Sequence, residues 1–296
     1  MLKIVLLFMV ASSIWYSFIL IKDYIKKKKE GTLEEGSFIK LGLIGMLANF
    51  FDTLGIGSFA IETSLFKNFK LIEDKKLPGT LNVANTIPTI LEALIFMTVI
   101  KVEPVTLFSM LAAAVLGAVV GAKVVSKFDE KTIQISMGLA LLAVAALMVA
   151  GQLKLFPVGG NETALTGVKL IIGLAGNFLF GALMTIGIGL YAPCMALVFA
   201  LGMGPQVAFP IMMGSCALLM PFSSYQFIKN GAYSTKASVA IAILGSIGVL
   251  IAAYVVKSLP LDILKWVVAC VIVYTSFIMF KSSKANSKKQ SDVYTA

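Results

Sequence analysis

The sequence predicts an all-α polytopic membrane protein. It consists of two inverted repeats, each a broken, re-entrant helix pair followed by three transmembrane helices, with one extra helix at the N-terminus. Three observations predict this. Hydrophobic residues make up 58% of the 296 residues and only 14% are charged, where a soluble domain carries about a quarter charged. Lysines gather in short clusters between apolar runs of about 20 residues, the length that crosses the hydrocarbon core. One unusual stretch, Thr53-Leu54-Gly55-Ile56-Gly57-Ser58-Phe59-Ala60, returns as Thr185-Ile186-Gly187-Ile188-Gly189-Leu190-Tyr191-Ala192.

The net charge is +10, from 25 basic and 15 acidic residues, and every basic residue is lysine. Clusters between apolar runs are the signature of cytoplasmic loops and argue against nucleic acid as a partner. Without His or Arg there is no imidazole relay, no His metal site and no guanidinium clamp for an anion. Cys194, Cys216 and Cys270 lie far apart within apolar runs, so they read as small packing residues and not as a metal or disulfide framework. No cofactor is implied.

Taken in order, the segment 1–37 is an N-terminal transmembrane helix with a basic linker. Its positive charge (Lys22, Lys26–Lys29) follows the apolar stretch, the reverse of a cleaved signal peptide. The N-terminus is therefore placed outside. The first repeat spans 38–151. Phe38–Phe66 is apolar but broken by Asp52, Gly55 and Gly57. The basic loop from Lys67 to Lys76 falls inside only if the broken segment enters and returns. Thr80–Ile100, with Pro88 in its interior, spans outward. Val105–Ala122 returns and offers Ala113, Gly117 and Gly121 as a small-residue packing face. Thr132–Ala150 spans outward to an external linker, 152–165.

The second repeat, 166–280, has the same plan. Thr166–Leu201 is broken at Thr185–Gly189, and Pro221 lies in the next helix at nearly the offset from Pro88 that separates Thr185 from Thr53. Two further spans follow. The tail, 281–296, is polar, basic, cytoplasmic and mobile. With both broken segments re-entrant, only Lys3, Lys101, Lys154, Lys169, Lys257 and Lys265 fall outside. This fits the positive-inside rule better than two single spans. An odd number of crossings per half then makes the halves inverted.

Glycine permits the dihedrals a break needs and lets another group approach the backbone. After each break a short helix starts, near Ser58 and near Leu190, and its free N–H groups carry about half a positive charge. Two such starts converging at mid-membrane form an anion site without Arg or Lys. The predicted substrate-binding residues are Thr53, Gly55, Gly57, Ser58, Thr185, Gly187, Gly189 and Tyr191. Carboxylates inside a membrane are costly and point to function. Asp52 and Glu92 are the candidates for ion coupling, while Glu62 reads as closer to the cytoplasmic end. Asn82, Asn85 and Thr86 share a helix face, and with Ser215 they are candidates for a polar pathway or for hydrogen bonds between helices.

These motifs resemble the TauE/SafE family of sulfite exporters and related permeases. The residues that carry the resemblance are Gly55-Ile56-Gly57 and Gly187-Ile188-Gly189-Leu190-Tyr191-Ala192-Pro193, within Phe38–Phe280. Ser58 and Leu190 stand where many members carry a further glycine, and Ile61 stands where Pro193 has its first-half counterpart. The resemblance implies movement of sulfite, sulfonates or related small sulfur-containing anions across the cell membrane.

The expected function is a secondary transporter for a small anion, proton-coupled through Asp52. The alternatives are a cation or other small-solute transporter that uses Asp52 and Glu92, and a facilitator channel. The Asn-Pro-Ala breaks of aquaporin-type channels are absent. A membrane enzyme would need His, a metal cluster or a nucleophile–base pair, so no enzymatic activity is expected.

Overall fold

A computed structural model describes residues 1–97, 102–157, 159–254 and 261–295. Lys101 and Lys257, two of the lysines assigned to the outside, lie outside the described residues. Among those described, eleven helices follow one another: α1 (Leu2–Lys29), α2 (Phe38–Thr53), α3 (Ser58–Asn68), α4 (Leu77–Phe96), α5 (Pro104–Val125), α6 (Glu130–Gln152), α7 (Gly167–Met184), α8 (Tyr191–Ala200), α9 (Pro205–Lys229), α10 (Thr235–Tyr254) and α11 (Leu261–Thr295). The only β pairing among the described residues is an isolated bridge between Glu162 and Met203.

Several helix starts are written in the sequence. Ser37 accepts from the Lys40 N–H at the start of α2. Glu103 caps α5, accepting from the N–H groups of Val105 and Thr106, with Pro104 at the first helical position. Asp129 caps α6 through the Thr132 N–H. The Thr106 and Val105 amides hold the Glu103 carboxyl below its usual range, and Thr132 does the same for Asp129. Both caps are complete at neutral pH and are lost as the pH falls through the lowered values.

Seven of these helices are long and apolar enough to cross a membrane: α1, α5, α6, α7, α9, α10 and α11. Helix α4 is not among them, because Asn82, Asn85, Thr86, Thr89 and Glu92 lower its hydropathy. All five are buried, so protein surrounds this face of α4 and lipid does not. Pro88 and Pro221 sit inside continuous helices, α4 and α9.

Hydrogen bonds sort the loops to two ends. At one end Lys27 meets Thr235 at 2.7 Å, Asn230 meets Ser126 at 2.7 Å, Gln134 meets Asp74 at 2.7 Å, and Lys67 pairs with Asp74. At the other end Glu103 N–H meets the Thr163 carbonyl at 2.8 Å, Glu162 N–H meets that of Gly202 at 3.1 Å, and Lys169 pairs with Glu162 at 2.7 Å. The α2–α3 pair thus leaves the lysine-rich end and comes back to it. The α7–α8 pair does the same from the opposite end.

The two pairs pack in matching ways. Helix α2 lies against α10, and α7 lies against α5; α4 packs on α9 and α10, and α6 on α11. Glycines set these contacts. A Cβ on Gly117 would sit 1.9 Å from the Phe178 carbonyl oxygen, one on Gly181 would sit 2.2 Å from that of Ala114, and one on Gly248 would sit 2.2 Å from that of Met46. The small-residue face of α5 therefore forms as expected at Gly117 and Gly121, but buried Ala114 completes it and not the half-buried Ala113. Helix α1 lies along α4, α9 and α10; its Tyr16 hydroxyl donates to the Val83 carbonyl at 2.5 Å, and Trp15 stacks between Phe222 and Tyr225.

In the C-terminal segment, expected as a polar tail, α11 continues to Thr295. No glycine or proline interrupts Lys281–Thr295, and Lys, Ala and Gln favour the helix.

The glycine contacts are testable. Gly117→Val should destabilise detergent-purified protein beyond the ~1–3 kcal/mol of ordinary overpacking, because the obstacle is backbone. Gly151→Ala, which meets only Phe156 at 3.5 Å, should melt like the wild type.

Candidate functional site

Helix α2 ends at Thr53, and the chain then turns through Gly55 (φ +87°) and Gly57 (φ +95°) before α3 starts at Ser58. In the second half α7 ends at Met184, Gly187 takes φ +103°, and α8 starts at Tyr191. These values exclude ordinary side chains. Gly189 is different. It has no left-handed φ, and a Cβ there would meet nothing within 4 Å. Its lack of a side chain preserves space.

That space is a cavity of about 310 Å³, and both breaks line it. Asp52, Gly55, Gly57, Ser58, Gly187, Gly189 and Tyr191 all contribute to its wall. The structure therefore brings the two Gly-x-Gly stretches to one place, with the first turns of α3 and α8 facing the same volume. Val144, Met148 and Met195 make part of the wall apolar. The cavity reaches Gln152, Phe156 and Lys265, at the end opposite the lysine-rich loops.

The remaining candidates lie behind this wall. Thr53 donates to Glu92 Oε1 at 2.7 Å and approaches the Asn49 carbonyl at 2.9 Å. The Thr185 hydroxyl turns back to the Ala182 carbonyl at 2.6 Å. Asn85 donates to Glu62 Oε2 at 2.8 Å and accepts from Asn49 at 2.7 Å, so Glu62 is fully buried in a hydrogen-bonded cluster. Asn82 accepts from Ser223 at 3.3 Å, Thr86 pairs with Ser224 at 2.9 Å, and Ser215 accepts from Asn177 at 2.9 Å. None of Asn82, Asn85, Thr86 or Ser215 lines the cavity; their hydrogen bonds join helices.

In the wall, Asp52 Oδ2 accepts from the Ser58 hydroxyl at 2.6 Å. The Tyr191 hydroxyl is buried without a hydrogen-bond partner. It lies close enough to Glu92 to feel its charge but outside hydrogen-bond geometry. Several wall residues are not among the candidates read from sequence, among them Thr89, Gln152, Cys216 and Lys265. A lysine near the start of an apolar helix was the available signal for Lys265, whereas nothing in the sequence distinguishes Cys216 from a packing residue. Among the described residues, no group of three His, Cys, Asp or Glu side chains is placed to hold a metal ion.

The model of the sulfite exporter TauE/SafE family matches residues 1–148 and 169–295. The chain belongs to the TauE/SafE family. No curated protein and no solved structure matches it. Membership makes this chain a multi-pass membrane transporter of a small solute and not an enzyme. The match extends over α1 as well, which the motifs alone leave outside the resemblance.

The glycines of this TauE/SafE site separate experimentally. Gly57→Ala should cost ~1–3 kcal/mol of stability, because it forces an alanine into the left-handed region. Gly189→Ala should fold normally, and Gly189→Val should fold but lose transport. The readouts are melting of the purified protein and flux into proteoliposomes.

Proposed function

We propose that this protein is a secondary transporter for a small anion, sulfite or an organosulfonate. The observation that carries the reading is the convergence of two helix starts, α3 and α8, on one cavity. Each presents unpaired N–H groups and the positive end of a helix dipole. Ser58 and Tyr191 add hydroxyls, and Lys265 adds the one positive side chain on the cavity wall among the described residues. The binding residues are Gly55, Gly57, Ser58, Gly187, Gly189 and Tyr191, with Thr53 and Thr185 supporting them from behind. A volume near the lower end of the ~300–1,000 Å³ range of small-molecule sites, with partly apolar walls, suits a short organosulfonate better than bare sulfite.

The two halves, 38–151 and 166–280, act as inverted repeats joined by the linker 152–165. Re-entrant pairs that start from opposite ends support this reading, as does the matched packing of α2 on α10 and α7 on α5. The lysine-rich end is cytoplasmic, with the N-terminus outside and the C-terminus inside. The cavity then faces outward in this conformation, and the buried cluster of Asn49, Asn85 and Glu62 closes the inner side. Asp52 and Glu92 carry the coupling ion.

A cation reading draws on one observation. Asp52, Glu62 and Glu92 have no lysine partner among the described residues. Flux decides between the two. Purified protein in liposomes should take up radiolabelled sulfite or ethanesulfonate saturably, with counterflow, and respond to an imposed pH gradient. Absence of any anion flux under either gradient, or competition by cations alone, would sink the anion reading. Thiol labelling of Cys216 in a Cys194→Ala, Cys270→Ala background should slow when the sulfonate is present.

A further inference from the structure

One of the two helix starts already holds an anion, and that anion belongs to the protein. The Asp52 carboxylate receives the hydroxyl of Ser58, the first residue of α3. It therefore sits where α3 would present its donors to a substrate. The second half has no equivalent: Met184 stands at the position of Asp52 and Leu190 at that of Ser58. Helix α8 starts without a carboxylate, and beside it the buried Tyr191 hydroxyl has no partner.

The other charged and titratable groups around Asp52 make a second anion there costlier still. Glu92 on α4 accepts from Thr53, the residue next to Asp52, and Glu62 on α3 lies behind. Tyr191 on α8 and Cys216 on α9 complete the near surroundings. The nearest cation on the wall is Lys265 of α11, at the far side of the cavity, toward the opposite end. An anion arriving at the α3 start meets a carboxylate that already holds the Ser58 hydroxyl, and two like charges in one site disfavour each other.

We propose that Asp52 is a built-in competitor for the substrate anion, and that the anion engages the α3 helix start only as Asp52 takes up a proton. The inference rests on the anion reading above and makes the proton a co-substrate. Protonation converts Asp52 from an acceptor into a donor. It releases the Ser58 hydroxyl to the arriving anion, and the carboxyl O–H becomes a further donor. The pair then occupies the site as one anion and one proton, with the local charge unchanged from the resting state. The anion is held on one side by α8 and on the other by α3.

Calorimetry on the detergent-purified protein tests this, with methanesulfonate and ethanesulfonate as probes because their charge does not change across the pH range used. Titration in two buffers of different ionisation enthalpy gives the number of protons taken up with each anion. The expected result is uptake approaching one proton per anion, with affinity rising about tenfold for each unit the pH falls while Asp52 is charged. Asp52→Asn should bind the same probes with no pH dependence and no uptake. Wild-type binding without proton uptake overturns the inference and leaves the anion reading intact, as does uptake that persists in Asp52→Asn. No binding of either probe by wild type or variant at any pH overturns the anion reading itself. The wild-type proton count decides the inference even if Asp52→Asn does not fold.

Discussion

A backbone that leaves helical geometry inside a bilayer must be enclosed by protein, because lipid cannot satisfy its N–H and C=O groups. The rest of this structure follows from two such departures, at Gly55–Gly57 and at Gly187–Gly189. Each break needs walls, and each helps to wall the other around one cavity. Helix α6 supplies much of the remaining wall, and α4, polar and yet buried, packs behind it against α9 and α10. An amphipathic helix at a protein surface turns its polar face to water; α4 turns its polar face to neighbouring helices.

The buried carboxylates fit the same logic. Glu62 and Glu92 lie in a medium where an unpaired polar group is costly. Neither has a lysine partner among the described residues, but each accepts hydrogen bonds. Glu92 takes the Thr53 hydroxyl and Glu62 takes the Asn85 amide, while Asn49 reaches both Asn85 and, at 3.5 Å, Glu62. A continuous polar chain thus runs from the cavity wall toward the lysine-rich end. All of its members belong to the first half, so two halves of similar backbone enclose chemically different surroundings.

How much of this was legible in the sequence depends on the kind of signal. The breaks were legible because glycines and a carboxylate in an apolar run are costly and therefore conspicuous. The convergence of Gly57, Ser58, Gly189 and Tyr191 on one volume followed from the repeated motif and the lysine distribution. The positions of Asn82, Asn85, Thr86 and Ser215 were less legible. Their spacing puts the three α4 residues on one helix face, but spacing does not say whether that face meets a cavity or another helix. Here Ser223, Ser224 and Asn177 oppose them. Lys265 entered the charge count only as an exterior lysine; its place on the cavity wall depends on how α11 packs against α6, which no local pattern encodes. The helical end of α11 was missed because polar composition was read as a tail when its helix propensity favoured continuation.

The glycine contacts between helices have a mechanical consequence. Where a carbonyl oxygen of one helix lies against a glycine Cα of another, as at Gly117 and Phe178 or at Gly248 and Met46, the two backbones are in direct contact and have little room to slide. Helix α5 is locked to α7 in this way, and α10 to α2. Each lock joins a helix from one half of the chain to a helix from the other. The two glycine-broken pairs are therefore interlocked with the helices of the other half of the chain, and neither half can shift as a unit without carrying part of the other.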